Sequence, residues 1–298
     1  MSAAPMHVGE ARIDGSLVRR LLAEQFPEWA ELPLKRVESA GTVNALYRLG
    51  DHLAVRLPRI AAAADDVTKE HAWLPRLAPA LPFPVPEILG LGIPTADYSW
   101  HWAVLRWLDG DLPVPGTLTD PYALAADLGA FVAALRGVDL PGGPTAYRGT
   151  PLATVDCETR AAIADLRGVI DTRAATAAWE EALAAPSWTG SPRWLHSDLM
   201  PMNLLISGGR LAAVLDFGTL GTGDPACDFI PAWNLLPAAA RSVFRDTAGA
   251  DDAGWARGRG WALSMALVQL PYYRTTNPLI ATNAELVIRE VLADRRAA

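Results

Sequence analysis

Eight residues of this sequence bring together three side chains that could do chemistry. The stretch HSDLMPMN, from His196 to Asn203, carries an imidazole, the carboxylate of Asp198 and an amide. The flanking segments PRWL and LLISGG are strand-like and apolar, which places the polar residues on a loop. Catalytic residues are often found on loops held by a rigid scaffold. Asp, Ser and Asn are also ordinary turn residues, so the octamer alone indicates either a catalytic loop or a plain turn.

A second polar turn follows this octamer at a short distance along the chain. The apolar segment AAVL leads into Asp216, which stands thirteen positions after Asn203 and is followed by Phe217 and Gly218. His-x-Asp-x-x-x-x-Asn followed by Asp-Phe-Gly is the pattern of the catalytic loop and metal-binding turn of kinases. Phosphoryl transfer needs positioning and charge neutralisation around the γ-phosphate, and this pattern supplies the groups for both.

Taken together, these motifs resemble those of the aminoglycoside phosphotransferase family, small-molecule kinases with a protein-kinase-like fold. The form His-x-Asp-x-x-Pro-x-Asn, with Pro201 inside it, is more similar to this family than to protein kinases. The later stretch GDPACDF, from Gly223 to Phe229, is similar to the family as well. In element order the resemblance covers nearly the whole chain. It implies an α+β, two-lobed fold with a small antiparallel β lobe first and a larger, mainly helical lobe second.

The resemblance also assigns roles within the motifs. Asp198 is expected to accept or orient the proton of the acceptor hydroxyl. Asn203 and Asp216 are expected to bind Mg²⁺, because that cation prefers oxygen ligands and keeps phosphate and water as partners. His196 either braces the loop or takes part in catalysis, and the resemblance favours bracing.

Two further acids near the metal-binding turn have two interpretations. Asp224 and Asp228 could bind a metal by their chemistry alone. The resemblance instead implies that they hold the backbone of the catalytic loop. Support of the loop is the preferred interpretation for both.

The nucleotide is expected in the N-terminal lobe. Exposed amides near Gly41 and Thr42 could approach phosphates, although a single glycine replaces the usual Gly-x-Gly-x-x-Gly and an ordinary hairpin explains the stretch equally well. The resemblance places the interlobe hinge at WAVLRWLDG, so backbone groups of Arg106, Trp107 and Leu108 are expected to meet the adenine. The Trp107 ring either contacts the ligand or packs.

A basic residue on the third strand is the candidate phosphate-binding cation. The segment LAVRLP places Arg56 where protein kinases carry lysine, and neither of the two lysines, Lys35 and Lys69, lies on that strand. Arginine binds phosphate through its planar fork. The resemblance makes Glu70, on the following helix, its partner, while Lys69 points elsewhere. A solvated strand arginine is the alternative.

Periodicity predicts the elements that position these residues. A helix is expected over IDGSLVRRLLAEQF, then three antiparallel strands (LKRVES, ALYRLG and LAVRLP), a helix from near Asp65, a strand near Ile88 and the strand HWAVLRWLDGD. Residues 120–185 and 225–292 have helical periodicity, with the polar loop and two short strands between them. We place an N-terminal nucleotide-binding lobe at residues 1–108 and a C-terminal catalytic and acceptor-binding lobe at residues 109–298.

Composition excludes several classes of protein. The 298 residues are 51% hydrophobic and 20% charged, which suits a sizeable core, and the net charge of −7 argues against nucleic-acid binding. Two cysteines without metal-ligand spacing indicate neither a disulfide framework nor a metal centre. The first residues lack the apolar core of a signal peptide, and WALSMALVQL is about half a membrane span. We therefore expect a cytoplasmic protein without membrane or nucleic-acid partners; its oligomeric state is not indicated.

The sequence predicts a phosphotransferase that uses ATP or GTP with Mg²⁺ and phosphorylates a hydroxyl of a small molecule. Aminoglycosides or other antibiotics are candidate acceptors, which would make the activity one of antibiotic resistance; a macrolide or a metabolite is the alternative acceptor. A non-catalytic nucleotide-binding protein is the alternative suggested by Arg56 and the glycine-poor hairpin. A phosphohydrolase is disfavoured by the lack of a histidine cluster. Five aromatic residues either line an acceptor pocket or, as preferred, fill the core: Trp233, Trp255, Trp261, Tyr272 and Tyr273.

Overall fold

A computed structural model describes residues 10–37 and 43–297 of the chain, with side chains described as far as residue 294. The chain forms two compact units. The first takes in the described residues up to Pro79, then Pro84–Asp109 and Leu215–Gly218. The second consists of Ala80–Phe83, Gly110–Val214 and the described residues from Thr219 onward. The short segment that carries Asp216 thus belongs to the first unit, although its neighbours along the chain belong to the second.

The first unit is built on a five-stranded antiparallel sheet of order β1-β2-β3-β5-β4. Its elements are α1 (Gly15–Gln25), β1 (Leu34–Val37), β2 (Asn44–Leu49), β3 (Leu53–Pro58), α2 (Asp66–Leu77), β4 (Ile88–Gly92) and β5 (Trp102–Arg106). The predicted antiparallel order of the first three strands is confirmed. Gly41 and Thr42, predicted to contact phosphates through their amides, lie outside the described residues. So do Glu38 and Ser39, the last two residues of the predicted first strand.

Alternation along β3 decides which face of the sheet carries each side chain. Val55 and Leu57 belong to the core cluster that includes the buried leucines of α1. Ala54 belongs to the smaller cluster on the opposite face, together with Val67 of α2. Arg56, two positions after Ala54, therefore lies on the α2 face of the sheet. Period-two alternation thus directs the basic side chain towards the helix that carries Glu70.

The second unit contains two short sheets and seven helices among its described residues. The strands are β6 (Arg193–Leu195), β7 (Leu204–Ser207), β8 (Arg210–Val214) and β9 (Gly221–Gly223), with β6 paired to β9 and β7 paired to β8. The helices are α3 (Pro121–Gly137), α4 (Asp156–Asp165), α5 (Thr172–Ala184), α6 (Pro231–Asn234), α7 (Arg241–Ala248), α8 (Asp252–Tyr273) and α9 (Pro278–Ala297). The predicted α+β architecture, with a β-rich first part and a mainly helical second part, is confirmed.

One part of the predicted helical region is not α-helical. Between α3 and α4 the chain runs as a loop that ends in a 3-10 turn at Leu152–Val155. The stretch from Pro141 to Pro151 contains six glycines and prolines, which do not support a continuous helix. This loop carries Arg148, whose Nη1 donates to Asp198 Oδ1 at 3.0 Å.

The aromatic residues named from the sequence are divided between the core and the surface, so the preferred core interpretation holds for Trp233 and Trp261 and is wrong for Tyr272. Trp233 and Trp261 are buried, and the Trp233 ring packs 4.7 Å from that of the half-buried Trp255. Tyr272 is exposed near the end of α8. In the part of the chain that the structure describes, no helix has the length and apolar character that crossing a membrane would require.

Candidate functional site

The carboxylate of Asp198 lies on the loop between β6 and β7 and is fixed by two neighbours. Arg148 Nη1 donates to its Oδ1 at 3.0 Å, and Asn203 Nδ2 donates to its Oδ2 at 3.1 Å. About a quarter of the Asp198 side chain is exposed. A charged hydrogen-bond acceptor is thus held in one orientation while part of it faces solvent. This arrangement suits a group that must meet the proton of an incoming hydroxyl.

Asn203 is oriented by the same aspartate. Its Nδ2 also donates to the main-chain oxygen of Asp198 at 2.8 Å, and the side chain is buried. Because the amide nitrogen is committed to Asp198, the carbonyl oxygen Oδ1 is the atom left to serve as a ligand. That oxygen is the type of donor expected for a magnesium site.

The backbone of the catalytic loop is held by a buried carboxylate. Asp228 accepts the N–H of His196 through Oδ2 and the N–H of Ser197 through Oδ1, both at 2.7 Å. Burial raises the pKa of Asp228 to about 6, against the opposing effects of His196 and of these two hydrogen bonds. Ser197 has the left-handed φ of 66°, which is uncommon for a residue with a side chain and needs such support. The supporting role expected for Asp228 is confirmed.

His196 also contributes to the structure of the loop. Its ring is buried, and its Nδ1 accepts the N–H of Asp198 at 3.2 Å. Its carbonyl oxygen accepts the hydroxyl of Thr219 at 2.8 Å, and Ser197 Oγ donates back to the carbonyl of Thr219 at 2.9 Å. These contacts match the bracing role preferred for His196.

The expectation that Asp224 holds the backbone of the catalytic loop was wrong. Asp224 does not hold the catalytic loop; its Oδ1 accepts the N–H of Ala226 at 3.0 Å, and its carboxylate receives Arg257 Nε at 2.7 Å and Nη2 at 3.2 Å. The physical reason is local, because Asp224 precedes a 3-10 turn whose first N–H groups need an acceptor. Asp224 therefore caps that turn and pairs with α8 through Arg257.

Arg148 is a candidate site residue that the sequence reading missed. Besides Asp198, its Nη1 reaches the carbonyl of Ser197 at 3.1 Å, so one guanidinium links two residues of the catalytic loop. Its guanidinium also lies 4.9 Å from the ring centroid of Tyr147, a side chain that is 72% exposed. The glycine and proline density of this stretch is a loop signal, and loops often carry functional residues. That signal could have directed attention to it.

In the first unit, Arg56 and Glu70 form a buried ion pair. Arg56 Nη1 donates to Glu70 Oε1 at 3.1 Å, and Nη2 donates to Oε2. Burial alone would lower the pKa of Arg56, but the charge of Glu70 and its hydrogen bonds outweigh that effect and raise it. Arg56 is thus a permanent, fixed cation. The alternative of a solvated strand arginine was wrong, because only 7% of Arg56 is exposed.

The turn that carries Asp216 is held by α2. Lys69 Nζ donates to the carbonyl of Gly218 and lies 3.6 Å from Asp66 Oδ1, so Lys69 contacts this turn. Burial, together with the charges of Asp216 and Glu70 and against that of Lys69, raises the pKa of Asp66 to about 6. A Cβ atom on Gly218 would meet Asp66 at 2.7 Å, so glycine permits the close approach. Asp216 itself has a left-handed φ of 57°.

The three residues of the predicted hinge differ in what they can offer a base. The N–H of Arg106 donates to the carbonyl of Glu87 at 3.0 Å, and that of Trp107 donates to the carbonyl of His52 at 2.8 Å. The Trp107 ring packs under the guanidinium of Arg48, 4.0 Å from the centroid, and its Nε1 donates to Asp109 at 2.9 Å. Leu108 is the residue of the three whose N–H has no hydrogen-bond partner within the described chain.

Each of the two side chains expected to bind a cation offers an oxygen of the kind that Mg²⁺ takes. Within residues 10–37 and 43–297, no group of three or more His, Cys, Asp or Glu side chains is arranged to hold a metal. Mg²⁺ is usually held by one or two carboxylates or amide oxygens together with phosphate oxygens and water. Asp216 and the free carbonyl of Asn203 are ligands of that kind, whereas a zinc-like cage is not formed by these residues.

The buried pair gives a prediction that separates stability from nucleotide binding. We expect Arg56→Ala to weaken nucleotide binding and also to lower the free energy of unfolding by about 3–5 kcal/mol, because Glu70 would stay buried without its partner. Arg56→Lys keeps the charge but loses the planar fork, so both losses should be smaller. Urea unfolding and nucleotide titration of each variant measure the two effects.

The control removes both charges of the pair. Arg56→Met combined with Glu70→Leu leaves no unpaired buried charge, so the double variant should recover stability without recovering nucleotide affinity. Wild-type nucleotide affinity in a folded variant without the arginine would show that Arg56 is structural only.

The chain is similar to known proteins both in sequence and in fold. The model of the phosphotransferase enzyme family, APH, matches residues 35–261. The sequence has no significant match among curated proteins. Among solved structures, the chain is similar to a GDP and kanamycin complex of an APH(2") enzyme, with a TM-score of 0.74 and 19% identity over 93% of this chain and 99% of that chain.

Two further solved structures extend the comparison. A GDP complex of wild-type aminoglycoside 2'-phosphotransferase-IIIa has a TM-score of 0.76 and 18% identity over 95% of this chain and 100% of that chain. The apoenzyme of a macrolide 2'-phosphotransferase from Brachybacterium faecium has a TM-score of 0.60 and 22% identity over 92% of this chain and 97% of that chain. At these identities the likeness shows the fold, and the kinase-like architecture predicted from the sequence is confirmed.

Proposed function

Because the chain belongs to the phosphotransferase enzyme family, we propose that it transfers the γ-phosphate of ATP or GTP to a hydroxyl of a small molecule. The observation that carries this proposal is the Asp198 carboxylate, held between Arg148 and Asn203 on a loop whose backbone is fixed by Asp228. A carboxylate fixed in this way can meet an acceptor hydroxyl in one geometry. Such positioning is the main requirement of phosphoryl transfer.

The proposed reaction is a direct displacement at phosphorus. The acceptor oxygen forms a bond to the γ-phosphorus as the bond from that phosphorus to the β–γ bridging oxygen breaks, and the nucleoside diphosphate leaves. The proton of the hydroxyl passes to Asp198 as its oxygen bonds to phosphorus. Arg148 keeps the carboxylate in place through Oδ1. Asp198 therefore acts on the acceptor rather than on the nucleotide.

We propose that Asp216 and Asn203 hold Mg²⁺, one through a charged oxygen and the other through a neutral oxygen. When bound, the cation supplies charge neutralisation on the phosphate oxygens. The protein contribution is the fixed direction of both side chains: Asn203 through its bonds to Asp198, and Asp216 through its left-handed backbone.

The nucleotide is proposed to bind in the first unit. Arg56 offers a permanent positive charge to the phosphates, and Glu70 fixes that charge in position. We propose that the unpartnered N–H of Leu108 donates to the base. The sequence assigns contact with the base to Arg106, Trp107 and Leu108 together. Gly41 and Thr42 are proposed as amide contacts to the phosphates on sequence grounds alone.

The acceptor is proposed to be a hydroxylated antibiotic that carries little positive charge, of the macrolide kind. Three carboxylates of the last helices pair with arginines: Asp252 with Arg245, and Glu290 and Asp294 with Arg241. The surroundings of Asp198 include the guanidinium of Arg148 and the exposed ring of Tyr147. A guanidinium and an aromatic ring suit an apolar, weakly charged acceptor better than a polycationic aminoglycoside, although the −7 charge of the chain would attract a polycation at long range.

The decisive experiment measures Mg²⁺-dependent turnover of ATP and of GTP, with and without a panel of macrolides, aminoglycosides and hydroxylated metabolites. We expect acceptor-dependent release of the nucleoside diphosphate and a product heavier by one phosphoryl group in mass spectrometry. Nucleotide binding without turnover against every acceptor would favour a non-catalytic protein. Rapid nucleotide hydrolysis without an acceptor would favour a phosphohydrolase. Either result would contradict the proposal.

Ionic strength distinguishes the two classes of acceptor. Attraction between exposed charges weakens as salt rises, whereas burial of apolar surface does not weaken in the same way. For a weakly charged acceptor we expect the Michaelis constant to change by less than about twofold between low and physiological ionic strength. A Michaelis constant that rises several-fold, together with turnover of aminoglycosides, would assign the polycationic class instead. Potassium chloride titrations at constant pH provide the measurement.

A further inference from the structure

A cavity of about 390 Å³ in the second unit is lined by more arginine than acidic side chains. It lies between the last turn of α3, the first residue of β6 and the segment that begins α8. Its charged lining residues are Arg136, Arg193, Arg257 and Asp251. Trp188 and Phe229 supply apolar parts of the wall. In a chain with a net charge of −7, this cavity therefore concentrates positive charge.

Two of these four groups are already engaged within the fold. Arg257 gives Nε and Nη2 to Asp224 and donates Nη1 to the carbonyl of Pro186 at 2.6 Å. Asp251 is the N-cap of α8 and accepts the N–H of Gly254 through Oδ1 at 2.6 Å. The charge of Arg257 is therefore balanced by Asp224, and one oxygen of Asp251 is engaged by the first turn of α8.

The remaining two arginines have no carboxylate partner within the part of the chain that the structure describes. Arg136 donates Nη1 to the carbonyl of Gly249 at 3.3 Å, and neither Arg136 nor Arg193 forms an ion pair with a described residue. Burial, followed by the charge of Arg193, lowers the pKa of Arg136 against the opposing charge of Asp251. Like charges that face one cavity repel each other, and an anion between them would remove that repulsion.

We propose that this cavity binds a small anion bearing phosphate or carboxylate groups, held by the guanidinium groups of Arg136 and Arg193. Guanidinium groups recognise both kinds of anion through paired N–H donors. The volume is that of a small metabolite rather than a macromolecule. This site is distinct from the residues assigned to phosphoryl transfer and does not depend on that assignment.

The position of Arg193 links this site to the catalytic loop. Arg193 begins β6, pairs with Gly223 of β9 and stands three residues before His196. An anion that fixes Arg193 against Arg136 ties β6 to the end of α3. The site thus offers a means by which an anionic metabolite stabilises the strand that leads into the catalytic loop.

The experiment titrates the full chain with two probes, inorganic pyrophosphate and citrate, by isothermal titration calorimetry. The variants Arg136→Gln and Arg193→Gln each remove one guanidinium, and Arg173→Gln removes an exposed arginine outside the cavity as a matched control. A charge-assisted hydrogen bond contributes enough that we expect affinity to fall by about tenfold or more in each cavity variant. The Arg173 variant should keep wild-type affinity.

Each of the following binding results either supports or overturns the proposed anion site. Binding of either probe that both cavity variants weaken supports the site, and the probe that binds identifies phosphate or carboxylate recognition. No binding of either probe, equal affinity in all variants, or an equal loss in the Arg173 variant would overturn it. Arg193 is exposed, so its variant should fold even if the half-buried Arg136 variant does not, and thermal unfolding checks both. Because the readout is direct binding, failure of the proposed kinase activity would leave this result unaffected.

Discussion

Replacing Asp198 with alanine is expected to lower acceptor-dependent turnover by about 10²–10⁴-fold, the usual contribution of a general base or orienting group. Binding of the nucleotide should stay near its wild-type affinity, because the carboxylate serves the hydroxyl of the acceptor. Alanine at this position also removes the carboxylate that pairs with the guanidinium of Arg148. Asp198→Asn keeps the shape and loses the charge, and it should show the same loss of turnover.

Steady-state kinetics and nucleotide titration of both variants measure the two effects separately. A matched control is Asp246→Ala, which removes an exposed carboxylate of α7 and should leave turnover unchanged. Turnover within a few-fold of wild type in either Asp198 variant would show that the acceptor proton is handled by another group. A large loss of nucleotide affinity would instead place Asp198 on the nucleotide.

The second large effect is expected at Asp216. Removing this carboxylate should reduce turnover by about 10²–10³-fold and weaken binding of the magnesium nucleotide, because a charged ligand that neutralises the phosphates is lost. Asn203→Ala should have the smaller effect, since a neutral carbonyl coordinates the cation without neutralising it. The choice of substitution matters, because Asp216 has a left-handed backbone that asparagine tolerates better than alanine. Asp216→Asn is therefore the cleaner variant.

Activity measured against the concentration of Mg²⁺ tests this prediction. The Asp216→Asn variant should need a higher concentration of Mg²⁺ for half-maximal turnover, while its midpoint in thermal unfolding should stay close to that of wild type. An unchanged requirement for Mg²⁺ would mean that other ligands hold the cation. A collapse of the unfolding midpoint would mean that Asp216 serves the turn rather than the metal.

The sequence by itself determined the features that depend on neighbouring residues. Short connections between strand-like segments predicted the three antiparallel strands and placed Arg56 on β3, because a parallel pair would need a long crossover. The spacing of Asp198, Asn203 and Asp216 indicated the chemistry, because one loop and one turn carry all three. Each of these inferences needs only a short part of the sequence, residues 34–58 for the strands and residues 196–218 for the motifs.

Only the tertiary structure decided the partners that hold those residues in place. Arg148 reaches Asp198 across 50 positions, Asp228 reaches Ser197 across 31, and Arg257 reaches Asp224 across 33. These contacts form because buried carboxylates and guanidinium groups must find a partner or lose solvation without compensation, and any of several arginines could have served. Which one does so depends on how helices and loops pack together. That packing cannot be predicted from a short window of the sequence.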